Sequence, residues 1–272
     1  GFSAAPFYQG SGEGAPLQLA RQAQQLGHEI ALHGYNHQSL VDRPAYTSKG
    51  WPGARAMTEA LLVARAEWQR VFGPGRVPFT YVAPNNHVGP LGKQALRAAF
   101  PEIRVLSALY LEDGPSKGQE YGDDPEVPEL LALPRTTSEL YLSSQGRAAA
   151  LDSLMLVGAF SHFVHPDDIY DPERNGGLPW AELARRGREM LGWVRGTYPW
   201  LRPMTAREAH GALLRFRGGS FGYEVAGREV RVHLDAGEPT TFLLRTDPGL
   251  RPEPRQGATL LHSYPQLGYH YR

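Results

Sequence analysis

The sequence predicts an α/β domain, a parallel sheet or barrel wound with helices, followed by a small antiparallel β region. Two observations carry this. Short apolar segments at residues 30–32, 77–82, 103–106 and 157–164 alternate with longer stretches of helical period, and strands alternating with helices imply parallel pairing. The pattern changes after Arg215. Residues 221–225, 230–234, 241–244 and 259–261 alternate as antiparallel strands do, with Gly227 and Gly237 at turns. The division read from this change is 1–215 for the α/β part and 218–272 for the β appendage.

Each element has its own signal. Leu17, Ala20, Ala23 and Leu26 recur at helical spacing, so residues 15–26 form a helix that Gly27 closes. Residues 30–32 are a short buried strand. Residues 54–72 form a long amphipathic helix, with Pro52 near its start and Gly73 after its end. A strand at 77–82, a helix at 89–99 and a strand at 103–106 follow. Residues 110–130 are acidic and rich in Gly and Pro, and read as a long loop of the kind that serves a site. Residues 147–155 have helical character, 157–164 read as a strand, and 179–197 and 205–214 as helices. Thr205 with Glu208 forms a capping-box pattern at the start of the last of these.

Composition excludes several classes. The chain has 272 residues, with 28 basic against 28 acidic, so nothing draws it to nucleic acid or an anionic surface. No apolar run approaches the ~20 residues of a membrane span. Cysteine is absent, which removes disulfides, thiol catalysis and thiolate metal sites. Lys occurs only at 49, 93 and 117, a bias toward Arg without functional meaning.

Three polar clusters stand just past predicted strand ends. The first is Gly27-His28-Glu29-Ile30-Ala31-Leu32-His33-Gly34-Tyr35-Asn36-His37, which delivers His33 and His37 to one place. Imidazole is the commonest neutral metal ligand, and two of them make half of an open metal site. Two histidines on a surface turn would be the plain alternative, but the apolar strand before them favours a site. His28 belongs to the preceding turn. The second cluster is Phe160-Ser161-His162-Phe163-Val164-His165-Pro166-Asp167-Asp168. His162 and His165 are three apart and face opposite sides of a strand. His165, at the strand's end, is the candidate catalytic group. Asp167 or Asp168 would orient its imidazole; Asp168 serves equally well as a turn cap. The third is Thr80-Tyr81-Val82-Ala83-Pro84-Asn85-Asn86-His87. Asn-rich turns are ordinary, yet its place between the other two makes Asn85 and Asn86 candidates for binding a sugar or an oxyanion. Tyr35 and His162 complete the candidate substrate-binding set. Leu133-Pro134-Arg135 is a lesser candidate, a cation near the pocket.

The string GHEIALHGYNH resembles the second motif of polysaccharide deacetylases of the NodB-homology type, roughly G-H-E-I-x-x-H-[ST]-x-x-H. Val82-Ala83-Pro84-Asn85 matches the proline of that family's R-x-P-Y motif but not its arginine. The Ser161 to Asp168 region matches the strand that ends in a catalytic histidine. The resemblance covers roughly residues 14–210. It implies a distorted or N-terminally incomplete (β/α) barrel of the deacetylase type. It implies a divalent metal ion, Zn²⁺ first, on His33 and His37. It also implies hydrolysis of acetyl groups on an acetylated polysaccharide, with His165 and Asp167 as catalytic residues. The place of work would be extracytoplasmic: secreted, periplasmic or at the cell surface.

The family's Asp-Asp motif, a metal ligand and a general base, has no counterpart, since no Asp lies among the first 32 residues. The expectation is either that the carboxylate lies on a segment before residue 1 or that the protein is a degenerate relative. A non-catalytic carbohydrate-binding or assembly protein on the same fold is therefore the first rival reading. A carboxylate-pair glycosidase ranks last, because Asp167 and Asp168 are adjacent and poorly placed to flank a glycosidic bond.

Overall fold

The computed structural model describes residues 15–44, 49–108, 120–138, 140–235, 237, 240–247, 249–255, 257–264 and 268–271. They fall into two compact units. One holds the described residues up to Thr197 together with Met204–Arg207; the other holds Tyr198–Pro203 and the described residues from Glu208 onward.

The first unit begins with α1 (Ala15–Gln25), which Gly27 ends at φ 87°. An extended segment then bridges Leu32 to Tyr81 in parallel. It is followed by α2 (Ala54–Phe72), β1 (Thr80–Val82), α3 (Pro90–Ala99) and β2 (Val105–Ser107). Next come β3 (Gly122–Asp123), β4 (Leu131–Ala132), β5 (Thr137–Ser138), α4 (Ser144–Val157) and β6 (His162–Phe163). A short helix α5 (Pro172–Asn175) and a long one, α6 (Trp180–Thr197), close the unit. The Leu32 segment, β1, β2 and β4 lie side by side in chain order, all parallel, with β3 antiparallel on the outside of β4. β5, a few residues past β4, pairs in parallel with β6. Helical crossovers, α2 between the Leu32 segment and β1, α3 between β1 and β2, and α4 between β5 and β6, join these parallel neighbours, so that within each sheet the C-terminal ends of the parallel strands lie on one side.

The core lies between this sheet and the helices α2 and α3. On α2 the buried residues are Met57, Leu61, Ala64 and Trp68, spaced four, three and four, a single helical stripe. They meet Leu32, Tyr81, Ala83 and Leu106 from the strands and Leu96, Phe100 and Ile103 from α3 and the turn after it. Each fully buried large side chain contributes about 1.5–3 kcal/mol. At Gly92 a Cβ would stand 2.0 Å from the Leu40 carbonyl oxygen, so only glycine lets α3 approach the 39–41 segment. Lys93, wholly buried, places Nζ 2.7 Å from Asp124 and 2.9 Å from Glu126. Asp124 also accepts the N–H groups of Glu126 and Val127. Breaking such a buried pair from one side is costly, so Lys93 pins the β3–β4 connection to α3.

Two expectations change here. The strand expected at 157–164 is only His162–Phe163, because α4 runs on to Val157 and Gly158 ends it in the left-handed conformation at φ 70°. A short apolar run such as 154–157 carries no period that separates strand from helix. The described part of the loop expected at 110–130 contains β3; residues 109–119 lie outside the described residues.

The second unit holds most of α7 (Ala206–Gly218), the hairpin β7 (Ser220–Ala226) and β8 (Glu229–Asp235), and β9 (Phe242–Leu244), β10 (Leu260–Tyr264) and β11 (Gly268–Tyr271). Gly227 makes the β7–β8 turn at φ 62°. The last three strands form an antiparallel sheet in the order β10-β11-β9. β11 has no counterpart in the sequence expectation. Its Tyr-rich segment lacks the clean alternation of the strands before it. Among the described residues no helix is long and apolar enough to cross a membrane.

Candidate functional site

Two tight turns stand side by side at the ends of neighbouring parallel strands. In the first, the Gln38 N–H donates to the Tyr35 carbonyl at 3.1 Å, and the two central residues, Asn36 and His37, have φ of 50° and 55°. In the second, the His87 N–H donates to the Pro84 carbonyl at 3.2 Å, around Asn85 and Asn86 at φ 52° and 62°. Two left-handed central residues are the signature of a type I′ turn. These four are the non-glycine residues at positive φ among the described residues. Asparagine tolerates that conformation; histidine does so at a cost of about 1–2 kcal/mol. Strain of this kind concentrates where function holds it.

The turns are clasped together. Ser39, fully buried, donates from Oγ to the Pro84 carbonyl at 2.8 Å. The Asn85 amide donates to the His37 carbonyl and to Ser39 Oγ, both at 3.3 Å. Both donors of Asn85 thus serve the clasp, and Asn86 is the half-buried neighbour beside it. Gly34, at φ 72°, sits under Pro84; a Cβ there would lie 2.7 Å from Pro84 Cγ. The resemblance motif has Ser or Thr at this position, and the proline of the next strand end leaves room for neither. Tyr35 packs half-buried against the core. Glu29 acts at a distance from the turns. It accepts Thr80 Oγ1 at 2.6 Å and the Arg207 N–H at 2.8 Å, and so ties the first strand to the residues that open α7.

His33 and His37 come together at this clasp, their rings 4.9 Å apart and nearly perpendicular. His33 Nδ1–H donates to the Val82 carbonyl at 2.8 Å. That fixes the tautomer and leaves Nε2 as the free electron-pair donor, the arrangement seen behind metal-bound histidines. Burial pushes the His33 pKa down to about 4, against an opposing pull from the Val82 carbonyl and with small contributions from His37 and His165. His37 is lowered too, chiefly by burial, with a smaller contribution from His165. Both rings are therefore neutral at pH 7. Two neutral imidazoles suit a borderline-soft divalent ion. Rings sharing one tetrahedral ion at about 2.0–2.1 Å per nitrogen have centroids about 5 Å apart, close to the spacing here. Among the described residues no group of three His, Cys, Asp or Glu side chains is assembled to enclose an ion.

His165 approaches from β6, near enough for its charge to be felt by both other histidines. Its ring packs edge-on against Phe163 at 4.6 Å, and the Arg135 guanidinium lies 4.8 Å above the far ring. Arg174 donates to His165 Nδ1 at 3.4 Å. An arginine cannot accept a hydrogen bond, so the neutral His165 ring carries its proton on Nε2. Arg174 also pairs tightly with Asp168, whose carboxylate is 3.8 Å from His165 Nδ1. Asp168 is thus the described carboxylate beside His165; the Asp167 side chain lies outside the described residues. Asn175, buried, donates to the Ile169 carbonyl and accepts from the Gly177 N–H, and so fixes α5, which carries Arg174. His162 turns to Thr137, with Nδ1 2.7 Å from Oγ1, and belongs to the β5–β6 pairing.

Sequence reasoning missed Ser39, Arg174 and the clasp donors of Asn85. Ser39 and Arg174 belong to no contiguous pattern, and they reach the site through turns that bend the chain back.

The fold and the site together define a parallel α/β unit with a histidine pair just past a strand end. Residues 2–249 match the model of a family described as an uncharacterised protein conserved in bacteria (DUF2194), and the chain belongs to that family. No curated protein and no solved structure matches the chain.

Proposed function

We propose that this chain is a metal-dependent hydrolase that removes acetyl groups from an acetylated polysaccharide outside the cytoplasm, on a barrel of the deacetylase type. The observation that supports this best is the His33–His37 pair, neutral, 4.9 Å apart and held with one Nδ1 on a backbone carbonyl. These two residues would hold the divalent ion, zinc by its preference for imidazole. Such an ion, when bound, supplies Lewis acidity toward a carbonyl oxygen and hydroxide from water at neutral pH. His165 would act from its imidazolium form, giving its Nε2 proton to the leaving amine or alkoxide as the acyl bond breaks and returning to the neutral ring. In that form its Nδ1–H would face the Asp168 carboxylate, 3.8 Å away, which Arg174 holds. Asn86 is the amide that faces the acetyl oxygen, since both donors of Asn85 are engaged in the clasp.

Metal analysis of the purified chain, together with acetate release from acetylated glycans, tests the reading. The expected result is about one zinc per chain and acetate release that His33→Ala abolishes. A metal-free active protein, or unchanged activity in His33→Ala, would sink it. A second reading is a glycan-binding protein that has lost catalysis. Val82 stands where the resemblance has its arginine, and that favours it. Glycan binding without acetate release in the zinc-loaded protein would select this second reading.

A further inference from the structure

The β7–β8 hairpin is amphipathic, and its apolar face is exposed among the described residues. Its register pairs Phe221 with Leu234, Tyr223 with Val232 and Val225 with Val230. Alternate residues of a strand share a face, so these six side chains form one face with no charge on it. Glu224, Glu229, Arg231, His233 and Asp235 all lie on the other. Yet the apolar face is open: Phe221, Tyr223 and Val225 are 59%, 66% and 64% exposed, and Val230 and Leu234 are exposed as well. The hairpin is a two-stranded sheet by itself, and such a ribbon is marginally stable in water unless its apolar face is packed.

We infer that this face is a self-association surface, on which two copies of the chain pack their hairpins together as the two layers of a four-stranded sandwich. Three features select a second copy. An uncharged face offers nothing to an acidic or basic partner, and its charges lie on the reverse side. Four of its six residues are aliphatic, which suits another apolar sheet face better than a sugar. The exposed area amounts to roughly 500 Å² per copy, so a pair buries about 1,000 Å², the scale at which a specific interface begins. A two-fold axis lets one patch complement itself and leaves no open end. The inference does not depend on the metal or on catalysis.

Sedimentation of the whole chain at tens of micromolar tests it. The expected species has twice the 30.0 kDa of one chain. Tyr223→Asp on the apolar face returns it to one chain, while Glu224→Lys on the opposite face leaves the dimer intact. The chain contains no cysteine, so Tyr223→Cys and Glu224→Cys give a second, independent measurement. Oxidation links two copies through position 223 and not through 224. A monomer at all concentrations would overturn the inference. So would a dimer indifferent to Tyr223→Asp, equal cross-linking at both positions, or a hairpin that binds glycan while the chain stays monomeric.

Discussion

The two sides of the candidate site are built by different physics. The His33–His37 side is made of backbone: two strained turns, a buried serine and an amide clasp, with a carbonyl setting the tautomer. The His165 side is made of side-chain charge: a half-exposed arginine holds a carboxylate beside the ring, on a short loop after β6. A backbone frame fixes positions to a fraction of an ångström and couples the site to folding. A charge frame contributes little to stability, because exposed ion pairs are worth about 0–1 kcal/mol, but it sets orientation and protonation. Substitutions on the first side should therefore register in stability, and those on the second in activity.

The largest effect is expected at Gly34. Gly34→Ala drives a methyl group into Pro84 and forces a left-handed residue to carry a Cβ. Overpacking costs typically 1–3 kcal/mol, and the left-handed backbone adds about 1 kcal/mol. Urea denaturation should show a loss of that order, with metal affinity falling as the turns separate. A variant as stable as the parent would show that the clasp is loose.

Next is the pH dependence of the metal-free chain. His33 is at about 4 in the folded state, against 6.5 when unfolded. Between those values the unfolded chain takes up a proton that the folded chain refuses. Stability is therefore complete above pH 6.5 and is lost as pH falls toward about 4. The slope is at most about 1.4 kcal/mol per pH unit, less in proportion to the ring's remaining contact with water. Chelator-treated protein should show this slope, and His33→Gln should flatten it. Equal slopes would place the lowered group elsewhere.

Arg174→Gln should read in the opposite way. It removes the cation that holds Asp168 and fixes the His165 tautomer. The melting temperature should move little, while acetate release falls about ten-fold or more and its pH profile shifts; Arg174→Lys restores part of it, since lysine keeps the charge but not the planar fork. A loss of stability without a change of pH profile would make Arg174 a structural residue of its loop.

The backbone-built side was the more legible one, and for a physical reason. Its histidines, turn residues and strand are contiguous from Gly27 to His37, so local chemistry and tertiary position coincide. The long helices were legible because burial imposes a period, as Met57, Leu61, Ala64 and Trp68 show on α2. What could not be read depends on where the chain goes between elements. Arg174 reaches Asp168 only because two short helical turns reverse the chain. Ser39 meets Pro84 only because Leu40 pairs beside Val88. The end of α4 was misplaced because the 154–157 run is apolar whether helix or strand, and Gly158 decides it.

The smallest effect is the most discriminating. His37 is exposed, but its backbone is left-handed, a conformation asparagine adopts more cheaply. His37→Asn should therefore relieve strain by something under about 1 kcal/mol and raise the melting temperature by roughly 2–4 °C at most. The same change removes one of the two imidazoles, so zinc affinity should fall by orders of magnitude. A residue kept for stability would show the reverse, a lower melting temperature with metal binding unchanged. Gain of stability with loss of binding is what strain held for a ligand predicts. No such split is expected at Asn36, which is left-handed at little cost and has no place in the ligand pair.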